Sequence, residues 1–403
     1  MSDQDRAGAR IAAFRKARGL TQRQLAERAT VSYSLLTKIE SGAAPATPAV
    51  IGAVARALRV DVPRITGQPY EESRGQAARL QQSVEAIRRS VDTYDLPGEG
   101  ITPRPYAELA ADVKRISDLG QAAKFVQIGS QLPALLDELS AAIHTVPEGE
   151  QAPLFALLAE AYSGASTIAN VLGYLDLRSQ VVDRIRWASE RCGDPLRIQR
   201  VRWQRTHSLM SVGAYGQAKT LMDQLRGDLG DDLSVMDGPT LSLYGSSHLR
   251  SAVLSARASR TSGPGSAQEA WAHIDAAREV ADRMGRDRND YGLAFGPSNV
   301  RQHGVSIAVE LEDGGEVMRR ARSARLPATV PPVRRGHHYI DLARGYVIAG
   351  DEGAALRSLQ EARKIAPQQT RLHPMVRETV LSIASARRGR EDLSLFASWL
   401  GLS

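Results

Sequence analysis

Residues 20–42 read LTQRQLAERATVSYSLLTKIESG. Thr21 can cap a helix, and Gln24, three residues on, completes a capping box. Leu25, Ala26 and Ala29 give that short helix an apolar face. Thr30 and Val31 make the turn. Ser32 can cap a second helix whose Leu35, Leu36 and Ile39 point inward. Tyr33, Ser34, Thr37 and Lys38 are left on the outer face, close to the helix N-terminus. A DNA major groove admits one helix, and polar side chains on its first turns reach base edges.

The flanks extend the pattern. Upstream, GARIAAFRKARG over residues 8–19 predicts a helix with Ile11, Ala12 and Phe14 inside and Arg10, Arg15, Lys16 and Arg18 outside. Downstream, a loop punctuated by proline runs from Ala43 to Pro48. Thr47 then caps a helix with Val50, Ile51, Val54, Ala55 and Leu58 as its core face. Five short helices over residues 1–66 can enclose a small core of their own.

The net charge of the chain is concentrated here. Residues 1–66 hold 11 Lys/Arg against 5 Asp/Glu, whereas the whole 403-residue chain holds 52 against 45. Six of the seven net positive charges therefore lie in this segment. A localised basic excess is the electrostatic footprint of phosphate contacts.

Leu20-Thr21-Gln22, the run from Leu25 to Ala29, Val31-Ser32, Ile39-Glu40-Ser41-Gly42 and Thr47-Pro48 together make the segment resemble the Cro/CI-type (Xre-type) helix-turn-helix domain of bacterial and phage regulators. The resemblance implies double-stranded DNA as partner. Gln22 would touch the DNA backbone or support a reading residue. Tyr33, Ser34, Thr37 and Lys38 would face the groove, and Ser41 would lie near phosphate. Arg23 and Ser32 complete the implied DNA-binding set. Thr30 departs from the pattern, since the family commonly has Gly in this turn. A β-branched residue resists positive φ, so a slightly reshaped turn is expected.

Composition bounds the remainder. The 42% hydrophobic content is ample for real cores, and aromatics are sparse. No apolar run approaches the length needed to span a bilayer, and the N-terminus is polar and charged, so a cytoplasmic protein is expected. The single cysteine, Cys192, excludes an internal disulfide and a multi-cysteine zinc site.

After Gly67-Gln68-Pro69 a helical pattern runs from Glu71 to about Tyr94, with Ala77, Leu80, Val84, Ile87 and Val91 in one stripe. The stripe either packs on the rest of the chain or forms a dimer helix. Beyond Pro105 the chain reads as amphipathic helices separated by Gly, Asp and Pro. Between Asp341 and Pro367, Ala343, Tyr346, Gly350, Ala355, Leu359, Ala362 and Pro367 reproduce tetratricopeptide (TPR) spacing. Weaker copies run from Trp203 to Leu225, from Leu172 to Pro195, over Ala270, Ile274 and Ala277, and from Val305 to Ala321. The expected fold is all-α: a five-helix domain over 1–66, a helical connector over 67–105, and a TPR-like superhelix over 106–403.

An Xre-type domain followed by degenerate TPR-like repeats is similar to a large group of bacterial transcription regulators, some of which sense short peptides. The resemblance implies a homodimer on a near-palindromic operator, with a peptide or small-molecule effector in the repeat domain. Tyr291, Phe295, Asn299 and His303 are candidate groove residues, because an Asn amide on an inner helix can clamp a peptide backbone. The same segment also reads as an inter-repeat loop whose Asn satisfies a helix end. Arg334-Arg335-Gly336-His337-His338 could grip an acidic group or a metal, but adjacent histidines on one helix point in different directions and no carboxylate is expected at i+4 ligand spacing. The loop at Gly263-Pro264-Gly265-Ser266 lacks the Lys-Ser/Thr of a phosphate cradle. No catalytic motif appears, and neither cofactor nor metal is expected. The rival reading is a TPR scaffold that docks a partner protein and uses the N-terminal fold as an interaction module.

Overall fold

The computed structural model describes residues 6–70, 76–98, 100–262, 265–323, 325–386 and 391–402, side chains at 76–78, 260–262 and 386 excepted. Three sequence readings lie outside these residues: the start of the connector helix at 71–75, the side chain of Ala77, and Gly263-Pro264. The described residues are all-helical, with 21 α-helices and, in place of strands, one isolated antiparallel bridge between Arg288 and Phe295. None of these helices is long and apolar enough to cross a membrane. The chain divides into two compact units, one of Met1–Gln68 with Leu209–Ser403 and one of Pro69–Ser208.

The first unit opens with α1 (Ala7–Ala17), α2 (Gln22–Ala29), α3 (Tyr33–Glu40), α4 (Pro48–Leu58) and α5 (Val62–Thr66). The capping signals act as the residues dictate. Thr21 Oγ1 accepts from the Gln24 amide, and Gln24 Oε1 accepts from the Thr21 amide in return. Ser32 Oγ accepts from Leu35 N–H at 3.2 Å, and Thr47 Oγ1 accepts from Val50 N–H at 3.5 Å. Ile11, Leu25, Leu36, Val54, Leu58 and Ile65 form the inaccessible core. Gly8 lets α1 approach α3, since a Cβ there would lie 1.9 Å from the Ile39 carbonyl oxygen.

The second unit holds α6 (Gln76–Asp92), α7 (Tyr106–Gln121), α8 (Phe125–Thr145), α9 (Ala152–Leu172), α10 (Leu175–Ser189) and most of α11 (Pro195–Ser211). The stripe of Leu80, Val84, Ile87 and Val91 is buried, and α6 packs on α8. Gly129 of α8 makes room for Leu80 and Ser83 at that crossing.

The first unit then resumes with α12 (Tyr215–Leu229), α13 (Gly238–Ser262), α14 (Gly265–Met284), α15 (Pro297–Glu310), α16 (Gly314–Ala321), α17 (Pro332–Ile348), α18 (Glu352–Ile365), α19 (Pro367–Leu372), α20 (Pro374–Ala386) and α21 (Glu391–Leu400). Consecutive helices pack as neighbours, most extensively α13 on α14 and α17 on α18. Ala343, Ala355, Leu359 and Ala362 are buried between α17 and α18, and Gly350 turns the chain with φ +79°. Pro367 follows the end of α18 and is itself the first residue of α19, where its missing N–H costs nothing.

The five N-terminal helices do not stand apart from this second half of their unit. Nearly every residue of α4 is buried, because its outer side meets α13. Arg56 Nη1 donates to the Gly213 carbonyl at 2.9 Å, and Met375 of α20 joins the N-terminal core.

Candidate nucleic-acid interface

The turn between α2 and α3 is held without glycine. Thr30 adopts φ 54° and ψ 44°, and the amides of Thr30 and Val31 close on the end of α2. The turn is therefore not reshaped around Thr30; the residue takes the left-handed geometry and bears its steric cost.

This turn sets α3 with one face clear of the fold. Tyr33 is 51% exposed, and Ser32, Ser34, Lys38 and Ser41 are exposed beside it. Thr37 is half-buried, and its hydroxyl donates to the Tyr33 carbonyl at 3.0 Å. The Ser41 hydroxyl donates to the Lys38 carbonyl at 3.1 Å. From α2, the Arg23 guanidinium reaches over the Tyr33 ring, 6.0 Å from its centroid. The eight residues expected at the interface thus lie on α2, on α3 or beside their ends. Gln22 is the least free of them, since its Nε2 donates to Glu40 Oε2 at 2.9 Å.

Glu40 organises the back of this face, a role the sequence reading missed. Arg15 Nε and Nη2 donate to its two carboxylate oxygens at 2.7 and 2.8 Å, and Arg15 Nη1 donates to the Leu20 carbonyl. The hydrogen bond to Glu40 raises the Arg15 pKa. Arg15 was expected outside, as was Arg10. Both turn in instead, because a guanidinium so placed satisfies acceptors that helix ends would otherwise leave bare. Arg10 donates to the carbonyls of Ile65 and Thr66. Lys16, Arg23, Arg28, Lys38 and Arg59 remain exposed and carry the positive field outward.

The proposed groove residues are neighbours in space, but two are interior. Phe295 is fully buried and packs so closely on Gly245 that a Cβ there would lie 2.0 Å from the ring. Asn299 Nδ2 donates to the carbonyls of Ala294, at 2.9 Å, and Leu293, at 3.4 Å, so the amide clamps its own chain. Phe295 and Asn299 are therefore interior side chains and not groove-lining ones. His303 lies against the Asn299 carbonyl, and burial pushes it down to about 3. Tyr291 is half-buried in a single 3-10 turn with φ 50°. Contrary to the expectation of no carboxylate at i+4, His337 meets Asp341 one helical turn on, with Oδ2 at 3.5 Å from its Nε2. Among the described residues no group of three or more His, Cys, Asp or Glu is placed to hold a metal.

Residues 6–65 match the family model described as "Helix-turn-helix domain". This chain carries a helix-turn-helix domain. The domain is of a DNA-binding kind, and α2 and α3 are its two motif helices. No curated protein matches the sequence. Among solved structures, the crystal structure of BtubC (BKLC) from P. vanneervenii is similar at 13% identity, over 65% of this chain and 91% of that one. The TM-score of that match is 0.35.

Proposed function

We propose that the protein is a sequence-specific transcription regulator of the Xre type. Its helix-turn-helix domain puts α3 into the major groove, with Tyr33, Ser34, Thr37 and Lys38 toward base edges. Gln22, Arg23, Ser32 and Ser41 serve the DNA backbone. The observation that carries this reading is the exposed polar face of α3, left open in the segment that holds nearly all the net positive charge. One such domain spans only a half-site, so two copies on a near-palindrome are the expected binding form. The helical remainder would be TPR-like and would carry dimerisation and a peptide or small-molecule signal, with 67–105 as connector.

The test is binding to duplexes recovered by selection from a random-sequence pool. A groove reader yields a consensus and loses affinity steeply as salt rises. Lys38→Ala should cost about 1–3 kcal/mol of binding and relax preference at the position it reads. Tyr33→Ala should relax preference at one position. Failure to recover any consensus would favour the scaffold reading.

A further inference from the structure

Among the described residues, helix α1 starts without a local side-chain cap. Arg6 precedes it in extended geometry and supplies no side-chain acceptor, and the first turn holds no acid. The leading N–H groups of a helix need acceptors, and its N-terminus favours negative charge. The acceptor arrives from far along the chain: Ala7 N–H donates to Glu378 Oε1 of α20 at 2.9 Å. The Ala46 N–H, in the loop between α3 and α4, also faces this carboxylate, whose pKa burial raises while the amides of Ala7 and Ala46 act to lower it. Glu378 is only 8% exposed. Arg6 ties the same two elements together, donating from Nη1 to the Gly42 carbonyl at 3.2 Å and from Nη2 to Ser385 Oγ of α20 at 2.6 Å.

We infer that Glu378 is a positioning residue for DNA reading, acting as the cap of α1 from outside the helix-turn-helix domain. Through Glu378, α20 holds the start of α1, and through Ser385 and Arg6 it reaches the loop that follows α3. That loop begins at Ser41, the expected phosphate neighbour, so the placement of the reading helix is set in part by a helix of the C-terminal region. A rearrangement of α20 would then reach the DNA face directly. The inference rests on the proposal that α3 reads DNA.

The experiment uses the full-length chain with Glu378→Ala and with Glu378→Gln, which keeps an acceptor oxygen. Amide hydrogen exchange at Ala7 should speed up about fivefold in the Ala variant, the worth of one lost helix cap. The Gln variant should exchange nearly as the parent does. Affinity for a duplex selected by the parent protein should fall in the Ala variant and return with Gln, while exchange across α17 and α18 stays unchanged. Unchanged exchange at Ala7 in the Ala variant overturns the cap. Faster exchange with unaltered DNA affinity overturns the positioning role. If the parent selects no duplex, the DNA reading fails, and the exchange comparison still decides the cap.

Discussion

Arg15 and Glu40 meet through a two-pronged ion pair across the back of α3, with side chains only 11% and 5% exposed. Glu40 ends α3, Arg15 lies in the last turn of α1, and Gln22 opens α2. One carboxylate therefore fixes three helices relative to each other. Breaking a buried pair strands the surviving charge, a loss of about 3–5 kcal/mol. Arg15→Ala is expected to destabilise the protein by about that amount in urea unfolding. Arg15→Lys should recover only part, because an ammonium cannot fill both prongs. Equal stability of Arg15→Ala and the parent would show the pair to be idle.

Thr30 carries the opposite expectation. A non-glycine residue in the left-handed region costs about 1–2 kcal/mol, and glycine gives back part of that gain through its looser unfolded state. Thr30→Gly should stabilise the protein by about 0.5–1 kcal/mol. It leaves every residue proposed to contact DNA untouched, so DNA affinity should hold. A lower urea midpoint for Thr30→Gly would mean that the threonine makes a contribution its backbone geometry hides.

The helix-turn-helix domain was legible because its signals are local. Caps at Thr21, Ser32 and Thr47 sit within three residues of the amides they accept from, and Leu25 with Ala29, and Leu36 with Ile39, are spaced at helical intervals. The Arg15–Glu40 pair was hidden because nothing in spacing joins residues 25 positions apart. Glu378 was hidden for the same reason at greater range. Helix α13 was missed on composition. Its buried face includes Ser242, Ser246, Ser247, Ser251 and Ser255, which pattern analysis scores as polar. Small serines and Gly245 instead let α14 and Phe295 come close. The segment around Asn299 was singled out for its aromatics and amide, yet those groups serve a tight turn before α15.

The buried charges of the C-terminal region predict an acid limit. Glu310 accepts from Arg257 and Arg344, both at 3.2 Å, and Asp341 accepts from Arg344 at 3.0 Å and from the Ser306 hydroxyl. Burial pushes the Asp341 carboxyl up, but His337, Arg344 and Ser306 together outweigh it and hold the group at about 2. A carboxylate depressed by folding adds stability above its unfolded pKa and loses it as pH falls through the folded value. The window for Asp341 runs from about 4 down to about 2. Urea midpoints should therefore fall steeply across that window. Asp341→Asn should be less stable than the parent at neutral pH by about 3 kcal/mol, since it strands part of a buried charge network. The gap between the two should narrow as pH approaches 2, because the parent is losing the charge that the variant never had. A gap that stays constant from neutral pH to pH 2 would remove Asp341 from the acid transition and assign it to the remaining carboxylates, Glu310 first among them.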